Sequence, residues 1–247
     1  MRYKKIWMTV LGLWAGTSLL AQDNSKEQVL REMQKLSGTY RNAPYLSFDM
    51  AYFCYDEQAP DKYIDSLQGS CKINGGKYWY SLDNTESIAT GELTVVLFKE
   101  DHIMYLTRPG KAMSAGNPLA MLDSFLLNNK NLTCSVSRQQ GQTVLTLEFE
   151  AGSPYRKMHY YIDDKTGYIT KMLSIVRADQ LYDTEVRSKV ENNGSYAVIE
   201  VHFDHYRKQS FDDHLFDLSR YFKKDGKDYV TVAPYDSYKI FFGSPNL

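Results

Sequence analysis

The sequence lacks the residue patterns that mark most catalytic and metal-binding sites. It has three cysteines and no Cys-x-x-Cys pair, so neither a dithiol redox centre nor a cysteine-built zinc site is indicated. It also contains no Gly-x-Ser-x-Gly, no His-Glu-x-x-His and no glycine-rich phosphate loop. His202 and His205 are three apart, so in a regular strand they point to opposite faces and cannot share one metal. We therefore expect a protein without catalytic activity, cofactor or bound metal.

The chain also lacks an excess of positive charge. Its formal net charge is −1, and removing Arg2, Lys4 and Lys5 of the N-terminal segment makes it −4. Nucleic-acid binding needs a clustered positive surface, so a nucleic-acid partner is not expected. A polybasic patch for a membrane surface is not indicated either. We find no linker, repeat or low-complexity tract, so residues 22–247 are predicted to form a single, monomeric β-rich domain.

Residues 1–21 have the features of a cleaved signal peptide. Three basic residues precede an apolar run at 6–20, which at about 15 residues is shorter than the ~20 that a membrane-spanning helix needs. Ala21 is a small residue at the expected cleavage point, and polar residues follow it. The alternative is an uncleaved N-terminal anchor. The signal-peptide interpretation predicts export, and in a Gram-negative cell it predicts the periplasm.

Most of the remaining chain alternates between apolar and polar residues over short stretches, which is typical of antiparallel strands joined by hairpins. The clearest hairpin is 157–176. Its predicted turn is Asp163–Gly167, where an aspartate can bond its own backbone and a glycine can take a positive φ. Further strands are predicted at 46–55, 65–73, 77–82, 87–89, 93–99, 102–107, 132–137, 143–150, 185–190, 195–206, 217–223, 229–232 and 235–242.

Two segments have helical spacing instead. Residues 25–36 begin at a capping serine, carry one apolar stripe and stop before Gly38; the stripe is Val29, Leu30, Met33 and Leu36. The second segment follows the Asn-Pro pair at 117–118 and carries Leu119, Leu122, Phe125 and Leu126. We expect it to lie across one face of the sheet, either as a fixed covering helix or as a mobile lid.

The cysteines leave two interpretations open. Cys54 and Cys71 lie on neighbouring predicted strands with parities that let both side chains point to one face. A Cys54–Cys71 disulfide is one interpretation, and small buried thiols are the other. Cys134 is the odd residue in either case.

Several stretches resemble the LolA-like family of periplasmic outer-membrane lipoprotein carriers. A signal peptide and an amphipathic helix precede the strand Leu-Ser-Phe-Asp-Met at 46–50. Residues 68–73 with 77–80, the hairpin Tyr-Ile-Asp-Asp-Lys-Thr-Gly-Tyr-Ile-Thr at 161–170, and the closing strand 199–206 are similar to further parts of the family. One departure is that the carriers have an Arg-Pro pair after the second strand, where this chain has Asn74-Gly75-Gly76. Residues 221–247 extend beyond the minimal family pattern.

The resemblance implies a mainly β fold with α: a strongly curved antiparallel sheet, or incomplete β-barrel, covered by helices around an apolar cavity. It implies a non-catalytic carrier or binder of lipid or lipoprotein acyl chains. The residues that we predict to line the cavity are apolar side chains on several strands: Met50, Tyr52, Leu67, Trp79, Val95, Leu97, Ile103 and Tyr105. The alternative function is an envelope protein–protein interaction module with a filled core, and an enzyme acting on envelope glycans or lipids is a third.

Overall fold

The computed structural model describes residues 17–108, 132–181, 196–226 and 228–243, with side chains described from residue 25 onward. The described chain contains one α-helix, α1 (Thr17–Arg41), and fourteen strands. The strands are β1 (Leu46–Asp56), β2 (Tyr63–Asn74), β3 (Lys77–Leu82), β4 (Thr85–Ala89), β5 (Thr94–Phe98), β6 (Ile103–Thr107), β7 (Thr133–Gln139), β8 (Gln142–Glu148), β9 (Tyr155–Asp163), β10 (Ile169–Arg177), β11 (Tyr196–Arg207), β12 (Phe222–Asp225), β13 (Asp228–Thr231) and β14 (Lys239–Phe242).

Twelve of the strands form one sheet, in the order β14-β6-β5-β4-β3-β2-β1-β11-β10-β9-β8-β7. All neighbours are antiparallel except β14 and β6, which are parallel. The two outer strands, β14 and β7, are not paired with each other, so the curved sheet stays open. The mainly β class and the incomplete closure predicted from the sequence are confirmed.

The predicted strands up to 107 and from 132 to 206 end within two residues of the observed ones, apart from 185–190, which lies outside the described residues. The predicted strand 217–223 is wrong in its first half, because Asp217 instead caps a 3₁₀ turn at Leu218–Arg220 by accepting a hydrogen bond from the Ser219 amide. The turn Asp163–Gly167 is confirmed: the Thr166 amide donates to the Asp163 carboxylate at 2.7 Å, and Gly167 has φ 71°. A hydrogen bond from the Thr166 hydroxyl, together with this one from its amide, lowers the pKa of Asp163.

Helix α1 packs on one face of the sheet, which we call the helix face. Its buried stripe is Val29, Met33, Leu36 and Tyr40, spaced as one side of a helix. These residues pack against buried side chains of β1, β2 and β7 to β11. The helix is longer than the predicted 25–36 at both ends. It continues past 36 because Gly38 stays helical and its carbonyl accepts a hydrogen bond from the Asn42 amide. The buried ring of Tyr40 holds that last turn against the sheet.

A closed set of hydrogen bonds fixes the end of α1. The Tyr206 hydroxyl donates to the carbonyl oxygen of Ile169 at 2.7 Å. Because this bond uses its only proton, the Tyr40 hydroxyl must donate to Tyr206, also at 2.7 Å. The Ile169 amide then donates to Tyr40 at 3.3 Å. Burial raises the pKa of both phenols, so they stay neutral donors at ordinary pH.

Substitution of Tyr206 by phenylalanine should therefore destabilise the fold. It leaves the carbonyl of Ile169 without its donor, and an unpaired buried polar group costs about 1–3 kcal/mol. The control is Tyr160→Phe, because the buried Tyr160 hydroxyl donates only to the weak acceptor Met158 Sδ at 3.7 Å. Urea unfolding of both variants gives the comparison. Equal losses of unfolding free energy would show that the tyrosine set does not contribute in this way.

The C-terminal segment covers part of the other side of the sheet, which we call the opposite face. Phe216, Tyr221 and Phe222 are buried there against β4, β5 and β6. The buried strand residues beneath them are Ile88, Val95, Leu97, Met104 and Leu106. The β12–β13 hairpin adds Tyr229 to this second core. The segment from 221 therefore supplies packing on the face away from α1.

The disulfide interpretation for Cys54 and Cys71 is not supported by the structure. The β1–β2 register pairs Cys71 with Phe48 and Cys54 with Asp65. The two cysteines share a face but lie six residues apart along the hairpin, and no disulfide joins any of the three cysteines. Cys71 lies fully buried under α1, and burial raises the pKa of its thiol.

Candidate functional site

The helix face divides into two parts. Beneath α1 it is filled by the first core, whose buried members come from β1, β2 and β7 to β11. Strands β3 to β6 contribute no buried side chain to that core, and only Tyr78 and Tyr80 reach it as half-buried neighbours. We call the helix-face side chains of β3, β4, β5 and β6, including Tyr78 and Tyr80, the β3–β6 face.

Strand register shows which side chains lie side by side on the β3–β6 face. Tyr80 pairs with Ser87, Ser87 with Val96, and Val96 with Tyr105. The next row outward runs from Leu82 through Thr85 and Phe98 to Ile103, and the row on the other side runs from Tyr78 through Ala89 and Thr94 to Thr107. Directly paired residues lie next to each other on one face. The result is a continuous surface that carries no charged side chain in these four strands.

Depth varies across the β3–β6 face. Its small residues are deep: Ser87, Ala89 and Thr94 are 2%, 5% and 2% exposed. Large residues around them reach solvent, with Phe98 40% and Tyr105 38% exposed. Exposed aromatic side chains next to a small-residue floor are typical of a surface that accepts an apolar ligand.

Tyrosines border this face where it meets the first core. Burial raises the pKa of Tyr52 to about 12 and also raises the pKa of Tyr78 and of Tyr80. All three phenols are therefore neutral at physiological pH. They can offer hydrogen bonds but no negative charge, which keeps the surface suited to an uncharged, largely apolar molecule.

The structure separates the eight predicted cavity residues. Met50, Tyr52, Leu67, Ile103 and Tyr105 lie on the helix face, as their register shows. Of these, Met50 is buried in the first core. The others, Trp79, Val95 and Leu97, lie on the opposite face within the second core, so the prediction that all eight line one surface is wrong. Trp79 is fixed there by a hydrogen bond from its indole nitrogen to Glu86 at 2.8 Å.

Sequence reasoning also missed residues of this face. Ser87, Ala89, Thr94, Val96 and Phe98 were not predicted as site residues. The alternation in 93–98 shows that Thr94, Val96 and Phe98 share one side of their strand, but it does not show which side faces α1. The predicted lid residues Leu119, Leu122, Phe125 and Leu126 lie outside the described residues.

A second, polar depression of 570 Å³ lies where β1, β2, β3 and β11 meet. In it, His205 Nδ1 lies 3.2 Å from the Asp49 carboxylate and 2.9 Å from that of Asp204. A β-bulge with His205 at φ 50° turns its ring toward these carboxylates. The expectation that His202 and His205 point to opposite faces is therefore wrong, because both lie on the face opposite α1.

The ligand atoms of Asp49, Asp204 and His205 all lie within 4.8 Å of one another, a spacing that could hold a metal ion. However, the imidazole contacts both carboxylates, and Arg207 lies 3.6 Å from Asp49. The histidine and Asp204 side chains are also well exposed. This arrangement is explained by hydrogen bonding of the imidazole and by the Arg207–Asp49 ion pair at the surface, and no metal chemistry follows from it.

No family model and no curated protein matches the chain. Solved structures do match. An uncharacterized conserved protein from Thermus thermophilus is 6% identical with a TM-score of 0.46, covering 88% of this chain and 99% of its own. A LolA superfamily protein from Nitrosomonas europaea is 9% identical with a TM-score of 0.36, covering 76% and 96%. The lipoprotein LppX from Mycobacterium tuberculosis is 12% identical with a TM-score of 0.36, covering 76% and 99%.

One of these structures is thus described as a LolA superfamily protein, the family that stretches of the sequence resemble. With TM-scores below 0.5 and identities of 6% to 12%, these matches support no conclusion about this chain. In the part of the chain that the structure describes, no helix is both long enough and apolar enough to cross a membrane.

Proposed function

We propose that this protein is a non-catalytic binder of a lipid or lipoprotein acyl chain, which it holds on the β3–β6 face. The observation that carries the proposal is the composition of that face: small buried residues in the middle, half-exposed aromatics around them, and no charged side chain pointing to it from the four strands. With residues 1–21 as a signal peptide, the protein acts as a monomer in the periplasm of a Gram-negative cell envelope.

The energetics suit reversible binding. Each methylene group moved from water to an apolar surface contributes about 0.8 kcal/mol. Burying roughly ten of them gives about 8 kcal/mol before the costs of immobilising the chain. The net affinity is then micromolar or weaker, which lets a carrier both load and release its ligand.

A second candidate function is a protein-interaction module, and it is favoured by the edge strand β14. Among the described residues this strand ends the twelve-stranded sheet, and its Phe241 and Phe242 are 47% and 52% exposed. An unpaired edge with exposed aromatics can accept a strand from a partner. If this is the function, the protein should purify without lipid. Changing both Phe241 and Phe242 to lysine should then abolish binding of the partner.

Lipid carriage can be tested with a charge placed on the proposed face. We expect the protein, expressed with its leader in a Gram-negative periplasm, to carry co-purifying lipid in native mass spectrometry. Val96→Glu should lower the lipid-bound fraction roughly tenfold or more, because a carboxylate is costly to bury against an acyl chain. Val230→Glu, at an exposed site on β13, should leave it unchanged.

Circular dichroism and thermal unfolding of both variants control for misfolding. Recovery of the unmodified protein without lipid in repeated preparations would contradict the proposal. So would a folded Val96→Glu variant that carries as much lipid as its Val230→Glu control.

A further inference from the structure

Two hydroxyl groups in the floor of the β3–β6 face have no hydrogen-bond partner among the described residues. They are Ser87 Oγ on β4 and Thr94 Oγ1 on β5. Both residues are 2% exposed, so bulk water does not satisfy them. Buried hydroxyls in native proteins are nearly always paired, and an unpaired one needs an explanation.

The two hydroxyls belong to one surface. Ser87 pairs directly with Val96, and Thr94 lies two residues before Val96 on the same strand and the same face. Diagonal neighbours of this kind lie about 7–8 Å apart, so a single small group can lie between them. Their surroundings on this face are Tyr78, Tyr80 and Ala89, which are also uncharged.

We propose that Ser87 and Thr94 donate hydrogen bonds to an ester group of a neutral acyl lipid bound on the β3–β6 face. This inference rests on the acyl-chain function proposed above and narrows it to a ligand class. Each hydroxyl has one proton to donate, and an ester offers acceptor oxygens at the point where the hydrocarbon begins. The alkyl part then lies against the aromatic side chains that surround the floor.

The same face argues against a free fatty acid as the preferred ligand. A carboxylate in a buried site needs a cation or several strong donors. Strands β3 to β6 place no lysine or arginine on this face, and Arg41 at the end of α1 interacts electrostatically with Tyr78 at its border. A neutral ester gains the two hydrogen bonds without the cost of burying a charge.

The test uses the purified protein and three probes: monopalmitoylglycerol, palmitate, and the oxygen-free dye diphenylhexatriene. Dye fluorescence measures binding to the apolar surface, and displacement of the dye measures the affinity of each lipid. We expect monopalmitoylglycerol to bind more tightly than palmitate. The double variant Ser87→Ala/Thr94→Val should weaken monopalmitoylglycerol binding about tenfold and leave dye affinity within about twofold.

The control Ser81→Ala removes a hydroxyl on the opposite face and should change neither affinity. Thermal unfolding shows whether the double variant is folded; a merely structural role for the hydroxyls would change its Tm without separating ester from dye. If the double variant binds ester and dye as the unmodified protein does, the ester contact is wrong while acyl binding stands. If the unmodified protein binds none of the three probes, both proposals are wrong.

Discussion

Phe48→Ala is expected to lower the free energy of unfolding by about 3–5 kcal/mol. Phe48 is fully buried on β1, where helix α1 meets the sheet. Its ring centre lies 5.0 Å from that of Tyr206 and 6.0 Å from those of Tyr40 and Phe203. Removing the ring leaves a cavity between elements that are already fixed by hydrogen bonds, so little collapse can fill it.

Chemical denaturation at a fixed pH measures this loss. The control is Phe242→Ala on the exposed edge strand β14, where 52% of the residue is in solvent and the loss should be a small fraction of that for Phe48. A loss below about 1 kcal/mol for Phe48→Ala would contradict the packing of α1 on this face.

Gly69→Ala is expected to destabilise the sheet. A Cβ at this position would lie 2.4 Å from the Ser81 carbonyl oxygen, which belongs to the backbone of the neighbouring strand. Strands β2 and β3 would have to separate there, and overpacking of this kind costs about 1–3 kcal/mol. Replacing a glycine by alanine in a strand without such a contact tends to raise the free energy of unfolding. A lower free energy of unfolding for Gly69→Ala would therefore identify the contact with Ser81.

The matched control is Gly76→Ala in the β2–β3 turn, where a Cβ meets nothing within 4 Å and φ is not positive. Its unfolding free energy should stay within about 0.5 kcal/mol of the unmodified protein. If Gly69→Ala is as stable as Gly76→Ala, the close approach of the two strands is wrong.

Local features of the fold could be predicted from the sequence because each depends on a short stretch. The Asp163–Gly167 turn and the stripe of Val29, Met33 and Leu36 follow from turn chemistry and helical spacing. Strand limits followed in the same way from alternation. The bulge at His205 could not be predicted, since one extra residue without a glycine leaves no mark in the pattern.

The candidate site was only partly predictable, for a different reason. Alternation places Trp79, Val95 and Leu97 on one side of their own strands, but it does not relate that side to α1. The relation is set by pairing across β1, β2 and β3. The C-terminal segment covers the side of the sheet that carries Trp79. It consists of short strands and 3₁₀ turns, and its aromatic residues follow no regular spacing in the sequence from which this packing could be predicted. The same strand pairing places Ile103 and Tyr105 on the helix face, where the candidate site lies.

The most direct test is to find where a bound acyl chain lies. A monoacylglycerol with a photoreactive diazirine in its alkyl chain is bound to the purified protein and irradiated, and the labelled residues are identified by peptide mass spectrometry. The predicted result is labelling of Tyr80, Val96 and Tyr105, which lie in one row across the β3–β6 face, and unlabelled monoacylglycerol should compete this labelling away. Competable labelling confined to Trp79 and Tyr229 on the opposite face would contradict it.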